Sequence, residues 1–331
     1  MTPRRAPLLR RPGAGLGPGL VGALGLFWLV RQVGPETIAA TLRAARPELL
    51  VLAFALFGVV ALGTTLRWRA LLAVLGSRPA VFRLLGIRLA GVAVGALTPG
   101  AKLGGEPLRA WLVSREGVAA GAAVASVVID RVLELAANLV FAVAYCALFA
   151  GRDTTTAGRV LVLLVAVGVA FVAGAVWIAR RLGSGRELVP KRFAPVLARL
   201  GRRGEVLAAT DHALRRLLLE QRRLLALAFG ISLALNLLVA LEVAVLFAAF
   251  GVRLDLAELA GSMLGIGVAH ALPLPGSLGA LEGAQVTFLA AAGGGRQIQV
   301  TGAIVARVRD LVWTLPGLLW LVSGRFRSGS R

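Results

Sequence analysis

Six stretches of this chain stay apolar for long enough to cross a lipid bilayer: about residues 15 to 31, 48 to 66, 118 to 150, 158 to 180, 223 to 250 and 300 to 323. A helix needs ~20 predominantly apolar residues to span the hydrocarbon core. Within lipid, a helix satisfies its backbone N–H and C=O groups internally, which an open sheet cannot do. The chain therefore reads as an all-α polytopic membrane protein. At 58% hydrophobic and only 16% charged residues it lies outside the mix of a water-soluble domain.

The charge that remains is lopsided. Thirty-seven Lys and Arg face 16 Asp and Glu, a formal net charge of +21. Such a balance suits nucleic acid, yet the arginines fall in short clusters between apolar runs, with no basic face interleaved with aromatics. No nucleic-acid partner is expected. Cytoplasmic loops of membrane proteins carry an Arg/Lys excess, so the clusters read as topogenic. Arg4, Arg5, Arg10 and Arg11, the group Arg67, Arg69, Arg78 and Arg83, segment 181–222, and Arg325, Arg327 and Arg331 are all expected on the cytoplasmic side. Both termini are then cytoplasmic in a multi-pass protein of the cell membrane. Cys146 stands alone in an apolar stretch, which excludes an intramolecular disulfide and reads as a small buried hydrophobe.

Two further apolar regions, 81–116 and 257–294, are interrupted by Thr98-Pro99-Gly100 and by Pro273-Leu274-Pro275-Gly276. Neither makes an unbroken helix. Threading the chain so that the basic clusters share one side requires each region to enter and leave by the same face, the first from inside and the second from outside. The expectation is about six full transmembrane helices plus two oppositely oriented re-entrant hairpins, the pattern of an inverted repeat. Residues 99–106 and 275–282 support it, since each opens on Pro-Gly and closes on Glu at the same spacing. The alternative is chance similarity between two Gly-rich stretches. The predicted organisation is a cytoplasmic segment 1–14, a transmembrane domain 15–324 divided by an amphipathic linker 181–222 on the cytoplasmic surface, and a tail 325–331. A solvated linker, with Gly201 and Gly204 breaking the helical pattern, is the other reading of that segment.

Charged side chains at membrane depth cost about 2.5–3.5 kcal/mol each on insertion scales, so each one kept there calls for a partner or a role. The first hairpin carries Lys102, Glu106 and Arg109, with Glu106 and Arg109 one helical turn apart. They fit an internal ion pair, or a phosphate site in which a helix N-terminus assists the cations. Ser126, Asp130, Glu134 and Asn138 recur every four residues and should form one polar stripe turned away from lipid, with Arg131 in reach of Glu134. A structural polar seam between helices is the alternative. Arg307, Arg309 and Asp310 interrupt the last span, with Arg307 and Asp310 spaced to pair. The second hairpin adds His270, Ser277 and Glu282, preceded by Asn236 and Glu242. His270 reads more simply as a hydrogen-bonded packing residue than as a proton shuttle. No nucleotide-binding, hydrolase-elbow or metal-ligating motif appears, so no cofactor, no metal and no catalytic residue is expected.

Three segments carry a family resemblance. They are 97–110 with Ser126 to Glu134, then 274–283, then Arg309 with Pro316-Gly317. Together they make the chain resemble the transmembrane-domain family of lysylphosphatidylglycerol synthases and flippases. The resemblance implies a flippase-like domain that moves a lipid between leaflets, in the best-known members an aminoacylated phosphatidylglycerol. It does not imply aminoacyl transfer, which bifunctional members assign to a separate soluble domain. Where the family often has Gly-Gly, this chain has Gly276-Ser277. The substrate-binding candidates are Lys102, Glu106, Arg109, Asp130, Arg131, Glu134, Glu282 and Arg309. The leading reading is a lipid transporter with membrane phospholipids as partners. The alternatives are a membrane-embedded transferase with Asp130 or Glu134 as base, and a scaffold for a partner lipid synthase.

Overall fold

The computed structural model describes residues 45–98, 104–184, 202–272, 277 and 279–323, with the isolated positions 36 and 43. The predicted span at 15 to 31, Lys102 and the first break around it, residues 273–276, and the tail 325–331 lie outside the described residues.

Ten α-helices and one π-helical turn account for nearly all of the described chain, with no strand among them: α1 Pro47–Val74, α2 Val81–Leu97, α3 Gly105–Arg115, α4 Ala120–Ala150, α5 Thr154–Gly183, α6 Arg202–Arg215, the π turn Arg216–Glu220, α7 Arg222–Ala249, α8 Leu256–Ala271, α9 Ala280–Ala291 and α10 Arg296–Val322. Helices α1, α4, α5 and α7 contain stretches long and apolar enough to cross a bilayer. Helix α10 is of similar length but carries Arg307, Arg309 and Asp310 near its middle and runs on through Pro316. Pro47 at the start of α1 has its φ preset and lacks an N–H that would go unbonded there, while Glu48 complements the helix dipole. Because α1 continues to Val74, Arg67 sits inside this helix and is buried; the expectation that it belongs to a basic cytoplasmic loop is corrected.

Both interrupted regions are helical hairpins. In the first, Gly91 of α2 lies against Gly105 and Arg109 of α3, and Thr98 against Gly104. A Cβ on Gly105 would occupy the position of the Gly91 carbonyl, so only glycine permits this approach. In the second, Ser262 of α8 and Gln285 of α9 exchange two buried hydrogen bonds of 2.8 and 2.7 Å. Helix α8 opens on a capping box: Asp255 accepts from the Glu258 N–H and Glu258 from the Asp255 N–H. Before α9, Ser277 has φ 47°, the left-handed region that glycine prefers.

A constant shift of 176 positions separates Pro99 from Pro275 and Glu106 from Glu282. The same shift carries α1, α2, α3 and the start of α4 to within two residues of α7, α8, α9 and α10. Helices α1 and α7 run antiparallel, with the Arg46 N–H bonded to the Ala249 carbonyl at one end (2.8 Å) and Arg67 to Ser232 nearer the other (2.6 Å). Each hairpin packs on the closing helix of the opposite half, Gly317 of α10 against the Leu89–Ala90 backbone of α2 and Gly261 of α8 against the Phe149 ring of α4. Two similar four-helix units, antiparallel and cross-packed, are what an inverted repeat produces.

The described part of the linker is helical. Ala213, Leu214 and Leu217 are buried among Leu71, Ala125 and Ile129, and Gly121 of α4 abuts the backbone of α6 at Ala209 and Thr210. The apolar side of this segment is therefore spent on the bundle. Helix α5 does the opposite and leaves Val162, Leu163 and Val169 exposed, as a lipid-facing helix would.

Candidate functional site

The most polar point of the interior is Asp130 on α4, which is fully buried and held by three arginines from three other helices. Arg67 of α1 donates to Oδ1 from Nε (3.0 Å) and Nη2 (2.8 Å). Arg88 of α2 and Arg109 of α3 each donate to Oδ2 at 2.8 Å. All three guanidinium groups are at most 7% exposed. Asp130 lies ten residues into α4, roughly 15 Å from the start of a helix about 46 Å long.

Neighbours fix each arginine in turn. Arg67 Nη1 donates to Ser232 Oγ of α7 at 2.6 Å, which joins the second half of the fold to the cluster. Arg109 spans two acids, Asp130 and, one turn back on its own helix, Glu106 at 2.9 Å. Its guanidinium also lies 4.4 Å from the centroid of the Trp68 ring, a cation–π contact. Trp68 is itself fixed by its N–H on Ser126 Oγ at 3.1 Å. Gly91 leaves the space the Arg109 stem fills, since a Cβ there would collide with Arg109 Cγ. Arg88 reaches Glu134 at 3.5 Å, and Arg131 pairs with Glu134 at 3.0 Å.

Floor and rim differ in exposure. Glu106, Arg131 and Glu134 keep side-chain exposures of 21%, 22% and 31%. They border the closed floor formed by Asp130 and the three arginines.

The predicted candidates thus divide. Glu106, Arg109, Asp130, Arg131 and Glu134 converge at one place. Glu282 and Arg309 lie elsewhere: Arg307 Nε donates to Glu282 at 2.8 Å, and Arg309 contacts Glu242 of α7 at 3.2 Å beside a narrow cleft lined by Phe54, Phe57 and Val312. The expected polar stripe holds at Ser126, Asp130 and Glu134 but fails at Asn138, which is exposed because α4 turns that end of the stripe away from its partners. Arg67, Arg88 and Ser232 complete the cluster without having been anticipated. Arg88, a charge in the middle of the apolar arm of the first hairpin, gave the same signal as the residues that were picked out. Arg67 sits at the edge of an apolar run and looks like a loop charge.

A profile of the family described as the lysylphosphatidylglycerol synthase TM region matches residues 16–317. The chain belongs to this family. Relatives include two UPF0104 membrane proteins of Methanothermobacter thermautotrophicus. One is 27% identical over 87% of this chain and 89% of its own length, the other 29% identical over 91% and 90%. A UPF0104 membrane protein of Methanocaldococcus jannaschii is 29% identical over 37% of each chain. No solved structure matches the chain. As a member of the lysylphosphatidylglycerol synthase transmembrane-region family it is a multi-pass membrane protein.

Proposed function

We propose that this protein moves a phospholipid or a related lipid between the leaflets of the cell membrane, with the Asp130 cluster receiving the headgroup and the acyl chains remaining in lipid. In this reading both termini are cytoplasmic, and the two hairpins are re-entrant from opposite faces. The observation that carries it is the convergence of Arg67, Arg88 and Arg109 on Asp130 inside a membrane-spanning bundle. Burying one carboxylate with three guanidinium groups is costly. Guanidinium forks also match the oxygens of a phosphate. The partly exposed rim at Glu106, Arg131 and Glu134 gives a headgroup a way in. Family membership supports a lipid-handling role, and the antiparallel halves provide the frame on which alternating access is built in transporters.

The transferase alternative asks Asp130 or Glu134 to act as a base, and Glu134 is paired with Arg131 and Arg88. Both oxygens of Asp130 already accept from arginines, so it has poor access to a substrate proton.

The test is leaflet exchange of headgroup-labelled lipid in proteoliposomes, comparing the wild type with Glu106→Gln and Arg131→Ala at matched reconstitution. Exchange by the wild type that both substitutions reduce supports the reading. A wild type that moves no lipid, with or without ion gradients, contradicts it.

A further inference from the structure

We propose that the Asp130 cluster selects a headgroup of net charge −1, a phosphodiester monoanion, over zwitterionic and aminoacylated cationic headgroups. The inference rests on the lipid-transport reading and narrows its substrate class. Two independent observations lead to it.

The first is the charge balance. Among the described residues, floor and rim together hold Arg67, Arg88, Arg109 and Arg131 against Glu106, Asp130 and Glu134, four positive charges against three negative. The set carries a net charge of +1 around a floor closed to water. A single uncompensated charge there is expensive, and a monoanion in contact with it removes the deficit. A zwitterion leaves the deficit in place, and a cationic headgroup deepens it.

The second is the hydrogen-bonding balance. Within the cluster, Arg109 Nε and Arg131 Nε are buried donors without an acceptor, and no oxygen of Glu106, Asp130 or Glu134 is left buried without a donor. Arg109 is only 4% exposed, so solvent does not readily serve its Nε. The site has spare donors and no spare buried acceptors, which calls for a ligand that accepts. A phosphodiester offers two non-bridging oxygens and no N–H. A primary ammonium adds donors to a site that already has them in excess, and a quaternary ammonium adds positive charge without an acceptor.

The other half of the repeat sharpens the contrast. Under the shift of 176 positions Arg109 corresponds to Gln285 and Asp130 to Ala306. There the buried contact is the neutral Ser262–Gln285 pair. At that position the second hairpin carries a neutral amide where the first carries a guanidinium.

The test is equilibrium binding to the purified full chain in detergent, read as occupancy by native mass spectrometry and as a shift in melting temperature. The ligands are phosphatidylglycerol, phosphatidylcholine, lysylphosphatidylglycerol and inorganic phosphate. The wild type is expected to bind phosphatidylglycerol at least about 10-fold more tightly than either other lipid. Arg131→Gln, which removes the surplus charge at the partly exposed rim, should abolish that preference. Glu106→Gln, which adds to the surplus, should keep or increase it. Equal or tighter binding of phosphatidylcholine or lysylphosphatidylglycerol overturns the proposal, as does a preference that survives in Arg131→Gln. Competition by millimolar inorganic phosphate supports the phosphate chemistry; stabilisation by phosphate with no response to phosphatidylglycerol overturns the lipid source. Selective binding without leaflet exchange would contradict the transport reading alone, and exchange without charge preference would contradict this inference alone.

Discussion

Arg67 on α1 and Asp130 on α4, 63 positions apart, meet through two nitrogens on a single carboxylate oxygen, at 3.0 and 2.8 Å. The contact ties together two helices that each cross the bundle. Arg88 and Arg109 add the first hairpin to the same carboxylate. Asp130→Asn keeps the shape but removes the charge shared by three buried guanidinium groups and leaves Arg67 with no acid among the described residues. It should destabilise the protein by about 3–5 kcal/mol, seen as a lower melting temperature in detergent. Adding Arg88→Gln should recover part of the loss, because one stranded charge is removed.

Arg109 bridges floor and rim within hydrogen-bond distance of both acids, with one nitrogen on Asp130 and another on Glu106. Lysine carries the charge but lacks the planar fork that reaches both acids. Arg109→Lys should leave the protein folded and slow leaflet exchange about 10- to 100-fold, the range set by losing about 1.5–3 kcal/mol of charged hydrogen bonding. An unchanged rate would exclude the bridge from the transport cycle.

Ser277 occupies a left-handed backbone conformation at φ 47°. An L side chain there costs roughly 1–2 kcal/mol, partly offset by the greater freedom of glycine in the unfolded chain. Ser277→Gly should therefore stabilise the protein by up to about 1 kcal/mol, measurable as a raised melting temperature.

Gly105 faces the Gly91 carbonyl with no room for a methyl group, whereas Gly58 of α1 has open space around it. Gly105→Ala should cost about 1–3 kcal/mol by prising the first hairpin apart. Gly58→Ala should be neutral or slightly stabilising, and the pair of melting curves separates packing from helix propensity.

Run length and proline–glycine punctuation made the spans at 48 to 66, 118 to 150, 158 to 180 and 223 to 250 and both helical hairpins legible, since each depends on residues adjacent in sequence. The Glu106–Arg109 and Arg131–Glu134 pairs were legible for the same reason, each being one helical turn apart. The three contacts to Asp130 were not, because they join helices 21 to 63 positions apart and no local period encodes them. Arg67 was misplaced because an apolar run marks the lipid-crossing stretch, while the helix extends eight residues beyond it to Val74. Arg309 became a candidate through the family resemblance; its partner is Glu242, 67 positions away on α7, a separation that no local period encodes.

The most direct test of the central claim is to locate the headgroup. A phosphatidylglycerol carrying a photoactivatable headgroup, crosslinked in membranes and mapped by peptide mass spectrometry, should label peptides containing Glu106 and residues 131–134, with the yield reduced by Arg131→Ala. Labelling confined to the exposed face of α5 around Val162 to Val169, and indifferent to that substitution, would contradict a headgroup site at the Asp130 cluster.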